Sequence, residues 1–319
     1  MAPRPTILEA ASFPGLTARI GRTPLVPVAG LEGVPDGVSV LGKAEWMNPG
    51  GSVKDRAAWG IVQAARASGE LAKGRRLLDA TSGNTGIAYA WIGAALGFPV
   101  TLCVPANANA ERRRLLAALG AELVLTDAMD GTDGAIRKAR SMAEEHPGRY
   151  FYADQYSNPA NWRAHYLGTA EEIWADTREG VTHLIAGLGT TGTMVGTARR
   201  LRELNPSLEA VAVEPDSPYH ALEGLKHLPT AMAPAIYDAS VHQRLLEVAS
   251  DDAIDMVKRQ ARRGLLLGWS AGAALVAAER VARGLDHGLI VAILPDGAER
   301  YLSEPLWQDD PESPGASAS

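Results

Sequence analysis

The stretch that decides the fold is "VTHLIAGLGTTGTMVGTARRLRELNPSLEAVAVE", residues 181–214. It contains an apolar run, a glycine-rich turn, a helical pattern and a second apolar run, in that order. This order is typical of a βαβ unit, in which a helix joins two parallel strands. The turn "GLGTTG" (187–192) also fits G-x-G-x-x-G, and Glu214 ends the second run, so a dinucleotide site is one interpretation.

The same alternation of apolar runs and helical patterns extends over most of the chain. Further strand-like runs are "RRLLDA" (75–80), "VTLCVP" (100–105), "AELVLT" (121–126), "YFYADQ" (150–155) and "GLIVAILP" (288–295). Strands separated by helices indicate parallel sheets with helices on both faces. We therefore predict an α/β protein with two doubly wound α/β domains and largely parallel sheets.

The predicted domains are interleaved along the chain. A smaller, mobile α/β domain takes residues 43–158, and a larger α/β domain takes residues 1–42 and 159–305. A loop followed by a helix, within 157–177, is expected to cross between them. The polar tail 306–319 is rich in Pro, Gly and Ser and is predicted to be disordered.

Composition excludes several classes of protein. The chain has 319 residues, of which 46% are hydrophobic and 21% charged, and its net charge of −6 argues against nucleic-acid binding. The single cysteine, Cys103, lies in an apolar run, and the seven histidines show no metal-ligand spacing, so no metal site is expected. The sequence has neither a membrane-length apolar run nor a signal pattern, and we expect a cytoplasmic protein.

The motif "GWSAG" (268–272) fits the G-x-S-x-G pattern of a hydrolase, with Ser270 as the nucleophile. A catalytic triad would also need an acid and a later histidine. The later histidine is His287, and its neighbour is Asp286, but adjacent residues point in divergent directions. The chain that remains is also too short for the rest of a hydrolase sheet, so a serine hydrolase is disfavoured.

The segment "TSGNTG" (81–86) follows a strand-like run and precedes a helical pattern. Backbone N–H groups and the helix dipole make such a helix start suited to an anion. A simple N-cap needs one polar side chain. This segment supplies four, namely Thr81, Ser82, Asn84 and Thr85. We predict that it binds a carboxylate or a phosphate.

The segment "NPGGSVKDRAA" (48–58) predicts a tight turn followed by an amphipathic helix. Lys54 falls in the first turn of that helix, where a cation opposes the helix dipole. The simplest alternative is a surface lysine that is paired with Asp55 or capped by Ser52. Destabilising the ammonium form, however, is what a lysine nucleophile requires, because the neutral amine attacks an aldehyde.

Together these stretches resemble the fold type II pyridoxal-phosphate (PLP) enzymes, and within them the cysteine synthases, most closely the cysteine synthase B branch. The stretches that carry the resemblance are "IGRTPLV" (20–26), "NPGGSVKDR" (48–56), "TSGNTG" (81–86), "DQYSNPAN" (154–161), "GLGTTGT" (187–193), "EGLKHLPTAMAPAIYD" (223–238), "GWSAGA" (268–273) and "LPDGAERYLS" (294–303). Each motif alone is weak, but their common order over nearly the whole chain is specific.

The resemblance implies that the glycine-rich turn binds the single phosphate of PLP and not a pyrophosphate. The implied phosphate ligands are Gly189, Thr190, Thr191, Gly192 and Thr193. Hydroxyl groups suit a phosphate, whereas a pyrophosphate needs bare backbone at close approach. Glu214 then has no ribose to bind and is expected in a loop near the substrate entrance.

The resemblance also implies which residues contact the other functional groups of PLP. Lys54 is implied to bond the cofactor aldehyde and to act as the general base at the substrate α-carbon. Asn84 is implied to bond the phenolic oxygen, and Ser270 the pyridine nitrogen. A neutral hydroxyl at that nitrogen gives a milder electron sink than a carboxylate, which suits elimination at the β-carbon.

The implied substrate site lies on two segments. Thr81, Ser82 and Thr85 are expected to hold the substrate carboxylate, with Gln155 closing over it. Gly224 and Lys226 belong to the 223–238 loop, which is expected over the β-substituent. Lys226 gives that loop a cation, and we predict that it allows O-phosphoserine to be used, alone or beside O-acetylserine.

The implied activity is β-replacement on an O-activated L-serine by a sulfur nucleophile, giving L-cysteine. The alternatives are another nucleophile, either homocysteine or an amine, and more distantly an NAD-dependent dehydrogenase. The resemblance implies a homodimer and leaves a sulfur-carrier protein open as the sulfur donor. Two departures from the family pattern stand out: Arg22 replaces the usual Asn, and Trp269 and Ala271 replace smaller or hydroxyl residues.

Overall fold

The computed structural model describes residues 15–72, 74–81, 83–302, 304 and 307. The chain divides into two compact units. The first comprises the described residues of 1–22 and 47–164, and the second those of 23–46 and 165–319.

The strands of the described chain, in order, are β1 Leu25–Pro27, β2 Val38–Ala44, β3 Arg76–Ala80, β4 Val100–Pro105, β5 Glu122–Thr126, β6 Tyr150–Tyr152, β7 His183–Gly187, β8 Glu209–Pro215, β9 Arg244–Val248 and β10 Gly288–Leu294. The α-helices are α1 Lys54–Ser68, α2 Asn84–Leu96, α3 Ala110–Ala118, α4 Gly131–Glu145, α5 Pro159–Ala164, α6 Ala170–Asp176, α7 Gly192–Leu204, α8 Ser250–Ala261 and α9 Trp269–Ala282. Short 3-10 helices are Leu16–Arg19, Glu45–Met47, Ala239–Val241 and Ala298–Arg300, and a π-helix spans His165–Thr169.

The first unit contains a four-stranded sheet in the order β5-β4-β3-β6, with parallel pairing throughout. The central strand β4 is buried along its whole length, as its apolar sequence predicts. Buried side chains of α1 and α2 form the core on one face, and α4 packs on the other. Because parallel strands end at a common edge, the residues that follow β3 and β6 meet there.

The second unit contains a six-stranded sheet in the order β1-β2-β10-β7-β8-β9. The short edge strand β1 is antiparallel to β2, and the other neighbours pair in parallel. Helix α9 is buried along nearly its entire length, which explains its Ala-rich sequence. The turn "GLGTTG" leaves β7, whose neighbours are β10 and β8.

The predicted α/β fold with largely parallel sheets is confirmed. The division into units differs from the predicted domains, because residues 15–22 belong with 47–164 and because the second crossing falls between Ala164 and His165. That crossing lies within the 157–177 segment, in its helical part, where α5 gives way to the π-helix. The tail predicted to be disordered lies outside the described residues, apart from Trp307.

No helix in the described part of the chain combines the length and the apolar character that a membrane span requires.

Candidate active site

Lys54 opens helix α1, as predicted, and is partly buried. Its backbone N–H donates to Ser52 Oγ at 3.3 Å, and Ser52 is fully buried. A Cβ at Gly50 would lie 2.3 Å from both Asp55 Oδ1 and Trp91 Nε1, so the turn requires glycine there. The turn and the helix start therefore hold the Lys54 backbone in a fixed position.

Asp55, the alternative partner for Lys54, is fully buried and fixes this turn. Its carboxylate accepts hydrogen bonds from the backbone N–H of Gly50 at 2.5 Å and from Trp91 Nε1 at 3.1 Å. Asp55 thus ties the turn to helix α2. Sequence patterns did not identify this role, because Trp91 lies 36 residues further along the chain.

The segment 81–86 connects β3 to α2, as predicted. The hydroxyl oxygen of Thr81 accepts hydrogen bonds from the backbone N–H groups of Gly83 and Gly86, both at 3.2 Å. Thr81 therefore stabilises the turn itself, although it lies before the helix, which begins at Asn84. Ser82 lies outside the described residues.

Thr85 and Gln155 are brought together, although 70 residues separate them in sequence. The Thr85 hydroxyl donates to Gln155 Oε1 at 2.7 Å, and Gln155 Nε2 donates to the Ala80 carbonyl at 2.8 Å. Both side chains are buried. The predicted carboxylate-binding residues Thr81, Thr85 and Gln155 thus form one polar cluster at the ends of β3 and β6.

The glycine-rich turn after β7 is packed closely against the segment that carries Gly224. A Cβ at Gly189 would lie 2.1 Å from the Gly224 carbonyl oxygen, and a Cβ at Gly187 would lie 2.4 Å from Leu225 Cδ2. The backbone N–H of Lys226 donates to the Leu188 carbonyl at 2.8 Å. These glycines are therefore required for packing between two loops of the second unit.

Thr191 ends this turn in the left-handed region, with φ +69°, directly before helix α7 begins at Gly192. It is 2% exposed, and its hydroxyl oxygen is buried without a hydrogen-bond partner. An unsatisfied buried hydroxyl costs about 1–3 kcal/mol. Its position at a helix N-terminus, among backbone N–H groups, fits a bound phosphate.

His165 is a site residue that the sequence did not reveal. Its ring Nδ1 lies 2.9 Å from Thr169 Oγ1 and its Nε2 lies 3.3 Å from Thr193 Oγ1, and the ring is buried. His165 is the first residue of the π-helix, an element often found at functional sites. A lone histidine in a helical pattern carries no local signal for such a contact.

Ser270 is buried in the first turn of helix α9. The adjacent Trp269 is also buried, with its ring centroid 5.7 Å from that of Tyr301 and 5.3 Å from that of Trp307. Trp269 therefore packs against the C-terminal segment of the described chain. Its large side chain has a structural partner, which the sequence did not predict.

Glu214 corrects one expectation. It was expected in a loop near the substrate entrance, but it lies in strand β8, is 1% exposed and accepts the backbone N–H of Leu228 at 3.1 Å. A buried carboxylate must be hydrogen-bonded, and here the bond stabilises the 223–238 loop.

The 223–238 loop contains Lys226 as its one lysine or arginine. Lys226 is partly buried, and Gly224 lies in the left-handed region with φ +89°. Burial, and after it the neighbouring His227, lower the pKa of His220, which precedes the loop. His220 is therefore neutral at pH 7, which leaves Lys226 as the candidate cation of this loop.

The hydrolase interpretation fails on geometry. Ser270 lies at the N-terminal end of α9, whereas His287 follows its C-terminal end, next to Gly37. A helix of this length spans about 20 Å, so the two side chains do not meet. Among the described residues, no group of three or more His, Cys, Asp and Glu side chains is placed to hold a metal ion.

Comparison with known proteins identifies the class to which this fold and these residues belong. Residues 16–296 match the family described as pyridoxal-phosphate dependent enzyme, and the chain belongs to that family. PLP is its cofactor.

Within this family, the chain is similar to several cysteine synthases. The chain is 45% identical to a cysteine synthase of Aquifex aeolicus over 91% of both chains. It is 39% identical to cysteine synthase B of Pseudomonas aeruginosa, over 92% of this chain and 98% of that protein. The crystal structure of a cysteine synthase from Entamoeba histolytica superposes with a TM-score of 0.89 at 34% identity, covering 98% of this chain and 94% of that one. The resemblance inferred from the motifs is confirmed.

Proposed function

We propose that this protein is a PLP-dependent cysteine synthase that replaces the β-substituent of an O-activated L-serine by a sulfur nucleophile. The observation that carries the proposal is the 45% identity to a cysteine synthase over 91% of both chains. The described residues fit the cofactor, because Lys54 opens a helix after a rigid turn and Thr191 presents a buried, unsatisfied hydroxyl at the start of another.

Bound PLP supplies an electron sink that stabilises negative charge at the substrate α-carbon. Lys54 would hold its aldehyde carbon, and Asn84 its phenolic oxygen. The phosphate would be bound by the residues from Gly189 to Thr193. Ser270 would bond the ring nitrogen through a neutral hydroxyl.

Lys54 would also move the proton. When its amine is free and neutral, Lys54 would accept the α-proton of the substrate and later return it. The rigid Gly50–Asp55–Trp91 arrangement restricts where the lysine can reach, because it fixes the backbone from which the side chain extends.

The substrate carboxylate would bind at the polar cluster after β3. Thr81 and Thr85 supply hydroxyl groups, and the N-terminal end of α2 favours a negative charge. Gln155 would close over the carboxylate, and Thr85, whose hydroxyl donates to Gln155 Oε1 without substrate, would turn that O–H to the carboxylate when substrate binds.

Chemistry alone supports our proposals for the first substrate and for the sulfur donor. We expect O-acetyl-L-serine, O-phospho-L-serine or both as the first substrate, with Lys226 able to compensate a phosphate leaving group. The sulfur donor is sulfide, thiosulfate or a thiocarboxylated carrier protein. We further propose a homodimer that works in the cytoplasm, where the single buried thiol, Cys103, would stay reduced.

The test uses purified holoenzyme and the Lys54→Ala variant, with Lys258→Ala on helix α8 as a control. The wild type and the control should show a yellow absorbance band that borohydride abolishes, and should form cysteine from O-acetylserine and sulfide. Lys54→Ala should lose both. If the wild type has no such band, or if Lys54→Ala retains near-normal turnover, the proposed function or the role of Lys54 is wrong.

A further inference from the structure

A buried carboxyl lies in the strand that leads to the proposed carboxylate site. Asp79, in β3, is fully buried and lies two residues before Thr81. Its Oδ1 accepts the backbone N–H of Ala80 at 2.8 Å, and its Oδ2 accepts that of Gln155 at 3.4 Å. In the described chain no lysine or arginine forms an ion pair with it. Asp79 therefore contacts both segments of the polar cluster.

Asp79 and Gln155 are linked through Ala80, because both form hydrogen bonds with its backbone. The Ala80 N–H donates to Asp79, and the Ala80 carbonyl accepts from Gln155 Nε2. Gln155 is also fixed at its own carbonyl by Asn161 Nδ2 at 2.7 Å. The Gln155 side chain accepts a hydrogen bond from the Thr85 hydroxyl. A change in the position of Asp79 therefore reaches Thr85 through Gln155.

The surroundings of Asp79 disfavour its charge. The pKa of Asp79 is raised to about 8, and burial is the main cause. The hydrogen bond from the Ala80 N–H opposes this rise, the nearby Asp154 adds to it, and the hydrogen bond from the Gln155 N–H opposes it more weakly. The Tyr89 hydroxyl interacts with the carboxyl and lowers its pKa, although their geometry is not that of a regular hydrogen bond. Asp79 is accordingly mainly a neutral acid at pH 7.

Other titratable and charged groups lie around Asp79. Five groups interact electrostatically with Asp79 itself. They are Tyr89 in α2, Cys103 in β4, Tyr152 in β6, and Asp154 and Tyr156 in the segment after β6. Helix α4 adds charges that reach these neighbours, namely Asp133, Lys138 and Arg140. Burial, and after it Asp79, raise the pKa of Tyr89 and of Tyr152, so both stay neutral in the working range.

We propose that Asp79 is a positioning residue for the amino-acid substrate: as a neutral acid it holds Gln155 and Thr85 in the binding arrangement, and its ionisation opposes the substrate carboxylate. This inference rests on the proposed function, because it requires the 81–85 segment to bind a carboxylate. Asp79 itself contacts neither substrate nor cofactor. It acts through Gln155 and through its charge.

The first experiment measures the Kd of L-serine for the holoenzyme as a function of pH, from the change in cofactor absorbance. L-Serine has the substrate's amino and carboxylate groups without an activated leaving group. The wild type is compared with Asp79→Asn, in which the charge is removed, so that titration of the ligand amine cancels in the ratio of the two Kd values. Glu45→Gln, which alters a fully buried acid in the second unit, is the control.

The ratio of wild-type Kd to Asp79→Asn Kd should be constant below about pH 7 and rise about tenfold by about pH 9.5, because a like charge then faces the ligand. The ratio of wild type to Glu45→Gln should be flat. A flat ratio for Asp79→Asn, with a normal yellow band in both proteins, overturns the proposal. Loss of the band in the wild type would instead overturn the proposed function.

The second experiment needs no ligand and no cofactor. The pKa of Asp79 in the folded protein, about 8, exceeds the ordinary 3.8 expected for the unfolded chain. The stability that the neutral acid contributes is therefore complete below about pH 4 and is lost as the pH rises through about 8. Relative to that of Asp79→Asn, the Tm of the wild-type apoprotein should fall between about pH 4 and pH 8.

If Asp79→Asn does not fold, Tyr89→Phe provides the same test. Removing the Tyr89 hydroxyl removes an interaction that lowers the pKa of Asp79. The pH at which the Kd of L-serine begins to rise should then move upward relative to the wild type. An unchanged onset would overturn the proposal.

Discussion

His165 Nε2 lies 3.3 Å from the hydroxyl oxygen of Thr193, and its Nδ1 lies 2.9 Å from the hydroxyl oxygen of Thr169. The ring thus links the π-helix to the first turn of helix α7, where the proposed phosphate site lies. Two hydrogen bonds fix the orientation of the ring, and the ring in turn restricts the rotamer of Thr193. A hydroxyl held in one rotamer loses less entropy on binding an anion.

The first prediction follows from this link. His165→Asn should weaken PLP binding about five- to tenfold, because one hydrogen bond of about 1 kcal/mol no longer fixes Thr193. The measurement is the Kd of PLP for the apoprotein. The same substitution in a Thr193→Ala background should have little further effect, since residues that act through one another are not additive. Additive losses would show that His165 acts independently of Thr193.

The second prediction concerns Thr191. Thr191→Ala should weaken PLP binding by about 1.5–3 kcal/mol through the loss of a charge-assisted hydrogen bond to phosphate. The matched control is Thr197→Val in helix α7, which Thr191 directly precedes, because Thr197 is fully buried and its hydroxyl also has no partner. Thr197→Val should leave the Kd of PLP unchanged. Equal affinities for wild type and Thr191→Ala would count against this turn as the phosphate site.

The third prediction explains a departure from the family pattern. Arg22 is exposed and has φ +52°, a left-handed conformation that costs a residue with a bulky side chain about 1–2 kcal/mol. Asn is enriched in this region, which fits the Asn that the resemblance leads us to expect at this position. Arg22→Asn should raise the free energy of unfolding by about 0.5–1 kcal/mol. Urea unfolding measures it, and a loss of stability would mean that the Arg22 side chain stabilises the fold.

Local patterns predicted the elements well, because apolar runs and turn residues are local signals. The run 100–105 is strand β4, and Lys54 opens α1 as its position after the "NPGG" turn indicated. The predictions also placed 187–193 between a strand and a helix, as observed. Each of these features depends on residues that are neighbours in sequence.

Contacts between residues that are far apart in the chain could not be predicted from the sequence. Glu214 was expected in a loop because a PLP-phosphate site leaves it no ribose to bind, and its hydrogen bond to Leu228 is visible only in the fold. The contact of His165 with Thr193 and that of Asp79 with Gln155 likewise join segments 28 and 76 residues apart. Periodicity does not report which buried polar groups pair with each other.

The fourth prediction concerns the leaving group. O-Phosphoserine has a dianionic leaving group, and a site that accepts it must offset its desolvation with a cation. Lys226 is the candidate, since it is partly buried and its backbone is bonded to Leu188 in the proposed phosphate turn of the cofactor. A lysine is a point charge without the fork of arginine, so it should permit O-phosphoserine without excluding O-acetylserine.

Lys226→Ala should lower kcat/KM for O-phosphoserine about tenfold or more, equivalent to about 1.4 kcal/mol, and should spare O-acetylserine. Lys226→Arg keeps the charge and adds a bidentate donor, so it should retain or improve the reaction with O-phosphoserine. Both variants keep the backbone hydrogen bond to Leu188, and a change confined to one substrate therefore reports the side-chain charge. Because a general disturbance of the loop would slow both reactions, an equal fall for the two substrates, or no fall for either, would mean that Lys226 does not contact the leaving group.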